Sequence, residues 1–136
     1  MRKFTLLMTI IFGTIIFFTA CTEEEELIAD PAERLIGTWK IESATALGIT
    51  LDMAGAKVTF KSCDDTGCEG SDYVSYEDAT CPFVYTLSET NLTIEYQDQE
   101  AVGDFTGDWE IDSFTNSSLN LSMSTIFGPM SYKLKK

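Results

Sequence analysis

Phe83-Val84-Tyr85-Thr86-Leu87-Ser88-Glu89-Thr90-Asn91-Leu92-Thr93-Ile94-Glu95-Tyr96-Gln97 is the stretch that decides the fold. Phe83, Tyr85 and Leu87 recur at every second position. Leu92, Ile94 and Tyr96 do the same, set against Thr93, Glu95 and Gln97. A period of two places alternate side chains on opposite faces of a strand, so each run has an apolar and a wet face. Glu89-Thr90-Asn91 between them is turn chemistry, which joins the two strands into an antiparallel hairpin.

The same alternation extends in both directions. Toward the N-terminus it appears at Val58 and Phe60, flanked by Lys57, Thr59 and Lys61, and at Trp39 and Ile41 beside Lys40 and Glu42. Tyr73 and Val74 mark a weaker strand between. Toward the C-terminus come Trp109 and Ile111, then Leu119, Leu121 and Met123, then Met130, Tyr132 and Leu134. Asp64-Asp65-Thr66-Gly67 and Thr115-Asn116-Ser117-Ser118 supply further turns. The result is about eight strands, all-β, with connections too short for parallel crossovers. Such a meander must hide its edges, and closure into a small up-and-down antiparallel β-barrel removes them. An open sandwich is the second architecture. The one helical signature is Asp30-Pro31-Ala32-Glu33: an N-cap, proline at the first helical position and glutamate three residues after the cap, ended by Gly37. The barrel domain is expected over residues 30–136.

Leu35-Ile36-Gly37-Thr38-Trp39 places Gly-x-Trp directly after this short helix. It resembles the opening of a lipocalin-like domain. Tyr85-Thr86-Leu87, Leu92-Thr93-Ile94, Trp109-Glu110-Ile111, Leu119-Asn120-Leu121 and the final Tyr132-Lys133-Leu134-Lys135 are similar to the small lipocalin-like lipoproteins, over residues 33–136. The resemblance implies that Trp39 packs across the closed end of a barrel. It also implies an arginine stacked over that tryptophan, for which a lysine on the last strand is the substitute. Arg34 precedes the motif, and Lys133 is the candidate on the last strand, although its parity points outward.

Cys63 and Cys68 flank the Asp64–Gly67 turn and can face each other across a hairpin. Pairing of either with Cys81 is the alternative. Three thiols without histidine fall short of a structural zinc set, and Asp64, Asp65, Glu69 and Asp72 match a calcium loop poorly, so no metal is expected. The chain lacks histidine altogether, which removes the usual triads and His-based general catalysis. No Gly-x-Ser-x-Gly, phosphate loop or Gly-x-Gly-x-x-Gly is present. Asp108, Glu110 and Asp112 only line the wet face of one strand. The expectation is a non-enzymatic protein without a cofactor.

The N-terminus reads as an address. Met1-Arg2-Lys3 is followed by uncharged residues from Phe4 to Ala20, ending in Phe18-Thr19-Ala20-Cys21. A positive start, a short apolar run and small residues before a cut describe a secretory signal peptide over residues 1–20. Phe18-Thr19-Ala20-Cys21 resembles the bacterial lipobox, in which the cysteine is acylated. The resemblance implies lipid attachment at Cys21 and a membrane held through its acyl chains. Residues 21–29, with Glu23-Glu24-Glu25-Glu26, form an acidic tether. The block also resembles the export signal of Bacteroidota-type surface lipoproteins, which implies an outer-membrane lipoprotein exposed at the cell surface. From Cys21 on, 22 acids face 7 bases, a net charge of about −15. That sign repels phosphate backbones, so nucleic acid is not a partner.

Two functions fit. The first is a binding barrel for a small hydrophobic or amphipathic ligand, with Trp39, Phe60, Phe83, Tyr85, Tyr96, Trp109 and Tyr132 facing inward. The apolar segment 44–56 contributes Leu51 and Met53. Leu47, Ile49, Leu51 and Met53 either close a mouth or form a strand pair that seals the core. The second is a surface interaction module, a protease inhibitor or a subunit of an outer-membrane complex, with a packed interior and the Cys63–Cys68 loop presented to its partner. Interior volume separates the two.

Overall fold

The computed structural model describes residues 26–75, 77–100 and 105–136. The signal segment, Cys21 and the first three glutamates of the tether lie outside the described residues. After Asp30, whose carboxylate accepts from the Ala32 N–H at 2.9 Å, one short helix, α1 (Pro31–Leu35), leads directly into the sheet. Nine strands follow: β1 (Gly37–Ala46), β2 (Ile49–Asp52), β3 (Lys57–Phe60), β4 (Glu69–Val74), β5 (Ala79–Leu87), β6 (Asn91–Tyr96), β7 (Gly107–Phe114), β8 (Ser118–Thr125) and β9 (Gly128–Lys135).

Every neighbouring pair is antiparallel. β9 pairs with both β8 and β1, which closes β1 and β3 to β9 into an eight-stranded barrel. Alternation accounts for the core without exception along β5, where Cys81, Phe83 and Tyr85 are buried between exposed Pro82, Val84 and Thr86. β2 is the addition to the expected strand set. Of the two roles open to segment 44–56, the structure takes the strand pair: β1 runs on to Ala46 and turns through Leu47-Gly48 into β2. Yet β2 does not seal the core, because all four of its residues are exposed. Met53 to Ala56 then bulge before β3 resumes the pairing with the lower half of β1.

The interior is filled. Trp39, Phe60, Phe83, Phe105 and Trp109 are almost wholly buried, with Tyr85 and Tyr132 close behind. Phe60 packs edge-on against Phe83 and Tyr85, at centroid distances of 5.6 and 5.2 Å. Phe105 stacks on Trp109 at 5.6 Å, and both meet Tyr132 at 5.1 Å. Where the Phe83 ring crosses β4, only glycine fits: a Cβ on Gly70 would lie 2.4 Å from that ring and 2.5 Å from the Thr59 carbonyl.

The two ends of the barrel differ. At one end α1, the Cys63–Cys68 loop, the Ser88–Thr90 turn and the C-terminus gather under Trp39. The cation over Trp39 is Lys136, whose Nζ lies 4.8 Å from the indole centroid and donates to the Arg34 carbonyl at 2.7 Å. Lys133, the residue expected there, instead pairs across β8 with Asn120 on the outer face. Arg34 lies over Phe114 at 4.7 Å and donates to the carbonyls of Ile28 and Phe114. Asn116, in the β7–β8 turn, holds the incoming chain by accepting from the Ile28 N–H and donating to the Glu26 carbonyl, both at 2.9 Å. The chain therefore enters at the closed end.

Candidate functional site: the open end of the barrel

The antiparallel strand order brings the Leu47-Gly48 turn, Ser75, Glu77 and Asp78, residues 97–100 and Ile126-Phe127 to the other end. Leu47 and Gly48 both have positive φ, 55° and 76°, the paired values of a two-residue hairpin turn that follows the sheet twist. A leucine there gives up about 1–2 kcal/mol to left-handed strain. Its side chain is also 65% exposed. In the neighbouring tip, Ile126 is 94% and Phe127 76% exposed. Hairpin tips ordinarily carry Gly, Asn, Asp or Ser.

Below the tips, register defines a continuous apolar face. Ala46 is paired with Ile49 on one side and Met130 on the other, and Ala44 with Leu51 and Tyr132. Met130 is in turn paired with Met123. Directly opposed residues share a face. Ala44, Met123, Met130 and Tyr132 all pack on the barrel core, so Ile49 and Leu51 lie on the core side too. The opposite face carries Thr45, Thr50 and Ser131, with the two threonine hydroxyls 2.9 Å apart. The upper parts of β2, β1, β9 and β8 thus prolong the inner wall of the barrel into a lip.

At the foot of this lip is a cleft of about 30 Å³, lined by Ile41, Met53, Asp72, Val74, Phe105 and Tyr132 among others. It has room for about one water molecule. Ligand cavities of roughly 300–1,000 Å³ are ten or more times larger. A polar pair of buried Asp72 and half-buried Tyr96 stands beside it. The Tyr96 hydroxyl donates to Asp72 Oδ2 at 2.7 Å and accepts from the Phe105 N–H at 2.8 Å. Burial, with the adjacent carboxylate, pushes the Tyr96 phenol far above its ordinary range. The phenol therefore stays neutral and serves Asp72 as a hydrogen-bond donor.

The expected ligand set divides. Met53 and Tyr132 line the cleft, with Tyr96 just behind it through Asp72. Leu51 stands on the lip, 55% exposed. Trp39, Phe60 and Tyr85 belong to the packed interior towards the closed end. Trp109 is packed beneath Phe105 and touches no open space. Phe105, which fills the interior below the cleft, was not singled out because it precedes its strand and has no alternating neighbour.

At the closed end Cys63 and Cys68 form a disulfide, and Cys81 is a buried free thiol. Asp64 fixes the loop by accepting from the Thr66 amide and hydroxyl, which holds its carboxyl below the usual range. A groove of about 510 Å³ runs between this loop, α1 and Tyr85–Glu89. Among the described residues no group of three or more Cys, Asp or Glu is placed to hold a metal ion.

No family model matches the chain, and no curated protein matches it. Its fold does have a solved counterpart, a lipocalin-like protein from Bacteroides uniformis ATCC 8492. That structure superposes with a TM-score of 0.52 at 14% identity, covering 76% of this chain and 98% of the other. The chain has a lipocalin-like fold: a closed eight-stranded antiparallel barrel with one extra strand and one short helix.

Proposed function

We propose that this protein is a lipid-anchored, non-enzymatic binding barrel of the cell envelope that takes a hydrophobic or amphipathic ligand at its open end. The observation that carries this reading is the lip: an apolar face continuous with the core that no described residue covers. The interior does not serve, because aromatic rings fill it and leave a cleft of about 30 Å³. A ligand rests against Ile49, Leu51, Met123 and Met130 and reaches inward only as far as Met53. Unbranched methionine side chains suit such a site, since they repack around different shapes.

The anchor in this reading is Cys21, in the outer membrane, with the protein facing outward. The tether leaves from the closed end, so the lip points away from the membrane that holds it. A protein partner at the same end, as for a complex subunit, is the second reading; the packed interior and the exposed Leu47, Ile126 and Phe127 favour it.

Titration with a neutral, environment-sensitive dye such as Nile red tests the lip. Saturable binding with a blue-shifted emission is expected. It should be lost in Ile49→Lys and Leu51→Lys, both of which change exposed side chains. Binding unaltered by these two substitutions would refute the assignment.

A further inference from the structure

Among the described residues β2 is the free edge of the sheet. It pairs with β1 alone, and β4 ends at Val74 without reaching it. The turn geometry says which backbone groups it presents. In a two-residue hairpin the flanking pair, here Ala46 and Ile49, exchanges both hydrogen bonds. The next pair, Thr45 and Thr50, does not, so the N–H and C=O of Thr50 point outward, as do those of Asp52. Natural sheets blunt such edges with lysine, proline or a bulge. Ile49-Thr50-Leu51-Asp52 has none of these and carries a single acid.

The connections at the open end carry one sign of charge, and the two lysines nearest β2, Lys40 and Lys57, line a groove with Asp52 at its lower end. Glu77 and Asp78 lie in the β4–β5 turn and Asp98 and Glu100 after β6, all at the open end, and Asp52 ends β2 itself. Segments 46–56, 74–80, 96–107 and 124–130 contain no lysine or arginine. Among the described residues the basic ones lie below these connections: Arg34, Lys61, Lys135 and Lys136 toward the closed end, and Lys40, Lys57 and Lys133 along the wall. An unpaired edge and an apolar inner face thus meet at the acidic rim of the open end.

We infer that β2 accepts an extended, basic amphipathic peptide segment as an added antiparallel or parallel strand. Its apolar side chains continue the lip beside Ile49 and Leu51, and its lysines or arginines face the acidic rim. Main-chain hydrogen bonds to Thr50 and Asp52 supply affinity, and the alternating side chains supply selectivity. This inference rests on the open end being the working face and names the class of ligand it takes.

The test uses the full chain in nanodiscs of zwitterionic lipid and a fluorescein-labelled octapeptide of alternating valine and lysine. Fluorescence anisotropy is expected to show saturable binding. A valine–glutamate octapeptide, a serine–lysine octapeptide, and the valine–lysine peptide with alternate amides N-methylated should each bind at least about tenfold more weakly, the effect of losing one or two net hydrogen bonds or their equivalent. Thr50→Pro removes an outward N–H while leaving the β1 ladder intact, and should lose about the same factor. Leu51→Lys gives a second variant that leaves the backbone untouched, and near-ultraviolet circular dichroism of the buried tryptophans verifies the fold of both. Equal binding of the lysine and glutamate peptides, of the N-methylated peptide, or by Thr50→Pro overturns the proposal. No peptide binding while Nile red still binds also overturns it and leaves the lip assignment standing; loss of both removes the lip assignment as well.

Discussion

Trp39 and Trp109 make the same hydrogen bond. Each indole N–H donates to the carbonyl four residues earlier, Trp39 to Leu35 at 2.8 Å and Trp109 to Phe105 at 3.0 Å. Each follows a glycine two positions before it, Gly37 with φ 121° and Gly107 with φ 129°, values that side-chain-bearing residues rarely adopt. The glycine lets the chain fold back on entering the strand, and the tryptophan then covers the residue it bonds. Gly-x-Trp thus occurs twice, once at the start of β1 under the closed end and once at the start of β7 under the open end. Trp39→Phe and Trp109→Phe should each destabilise by about 2 kcal/mol, combining a lost hydrogen bond with an unfilled volume. Urea unfolding should show a lower midpoint at unchanged slope in both variants.

Tyr96 ties the mouth of the barrel to alkaline stability. Its phenol is held protonated by burial first and by Asp72 second, so the folded value lies above the ordinary 10.0. Tyr85 shifts the same way through burial. A group raised on folding contributes stability that is complete below its unfolded value and is lost as pH rises through and beyond it. Stability should therefore fall steeply above pH about 10, as the unfolded chain alone releases these protons. Tyr96→Phe should cost about 2 kcal/mol at pH 7, because the Asp72 carboxylate loses a donor. The same variant should flatten the decline between pH 10 and 11. Denaturation midpoints at pH 7, 9, 10 and 11 measure both effects.

The Cys63–Cys68 disulfide closes a loop of six residues, for which chain entropy gives about 2 kcal/mol. The double variant Cys63→Ala/Cys68→Ala should lose about that much while the barrel persists, since Asp64 and Gly67 exchange backbone hydrogen bonds independently. Dithiothreitol should lower the thermal midpoint of the parent and leave the double variant unmoved.

Cys21 governs the anchor in the proposed function. Cys21→Ala should leave an uncleaved precursor that takes up no labelled palmitate in cells. A mature-length, acylated product from that variant would show that another residue carries the lipid.

Much of the fold was legible because each strand has one dry face. Val58 and Phe60, Leu92 and Ile94, Leu119 and Leu121 all lie inward as their alternation requires. β2 escaped the same rule because it has no dry side: Ile49 and Leu51 alternate with Thr50 and Asp52, but all four are exposed. Segment 44–56 therefore read as unusually apolar without revealing which face it offers. The cation over Trp39 was expected from the last strand, and it comes one residue beyond that strand, from Lys136, where alternation no longer applies. Phe105 lies before its strand and was silent to periodicity, although the second Gly-x-Trp, Gly107-Asp108-Trp109, marks its place as Leu35 is marked by the first. Whether the aromatic set enclosed a cavity was not legible, since the same rings serve a filled or an open barrel. Packing decides it, and the rings meet one another.

The seam between β1 and β9 joins Lys40–Ala46 to Met130–Lys135, residues close to opposite ends of the barrel sequence. β9 also completes the pairing of β8, so two ladders depend on the last strand. Until it arrives, β1 and β8 are raw edges and Trp39 lacks the lysine above it. A chain that emerges N-terminus first from a ribosome or a narrow conduit cannot lock into its native shape partway. Folding waits for β9, and removing Gly128–Lys135 should leave an open, adhesive sheet rather than a smaller barrel.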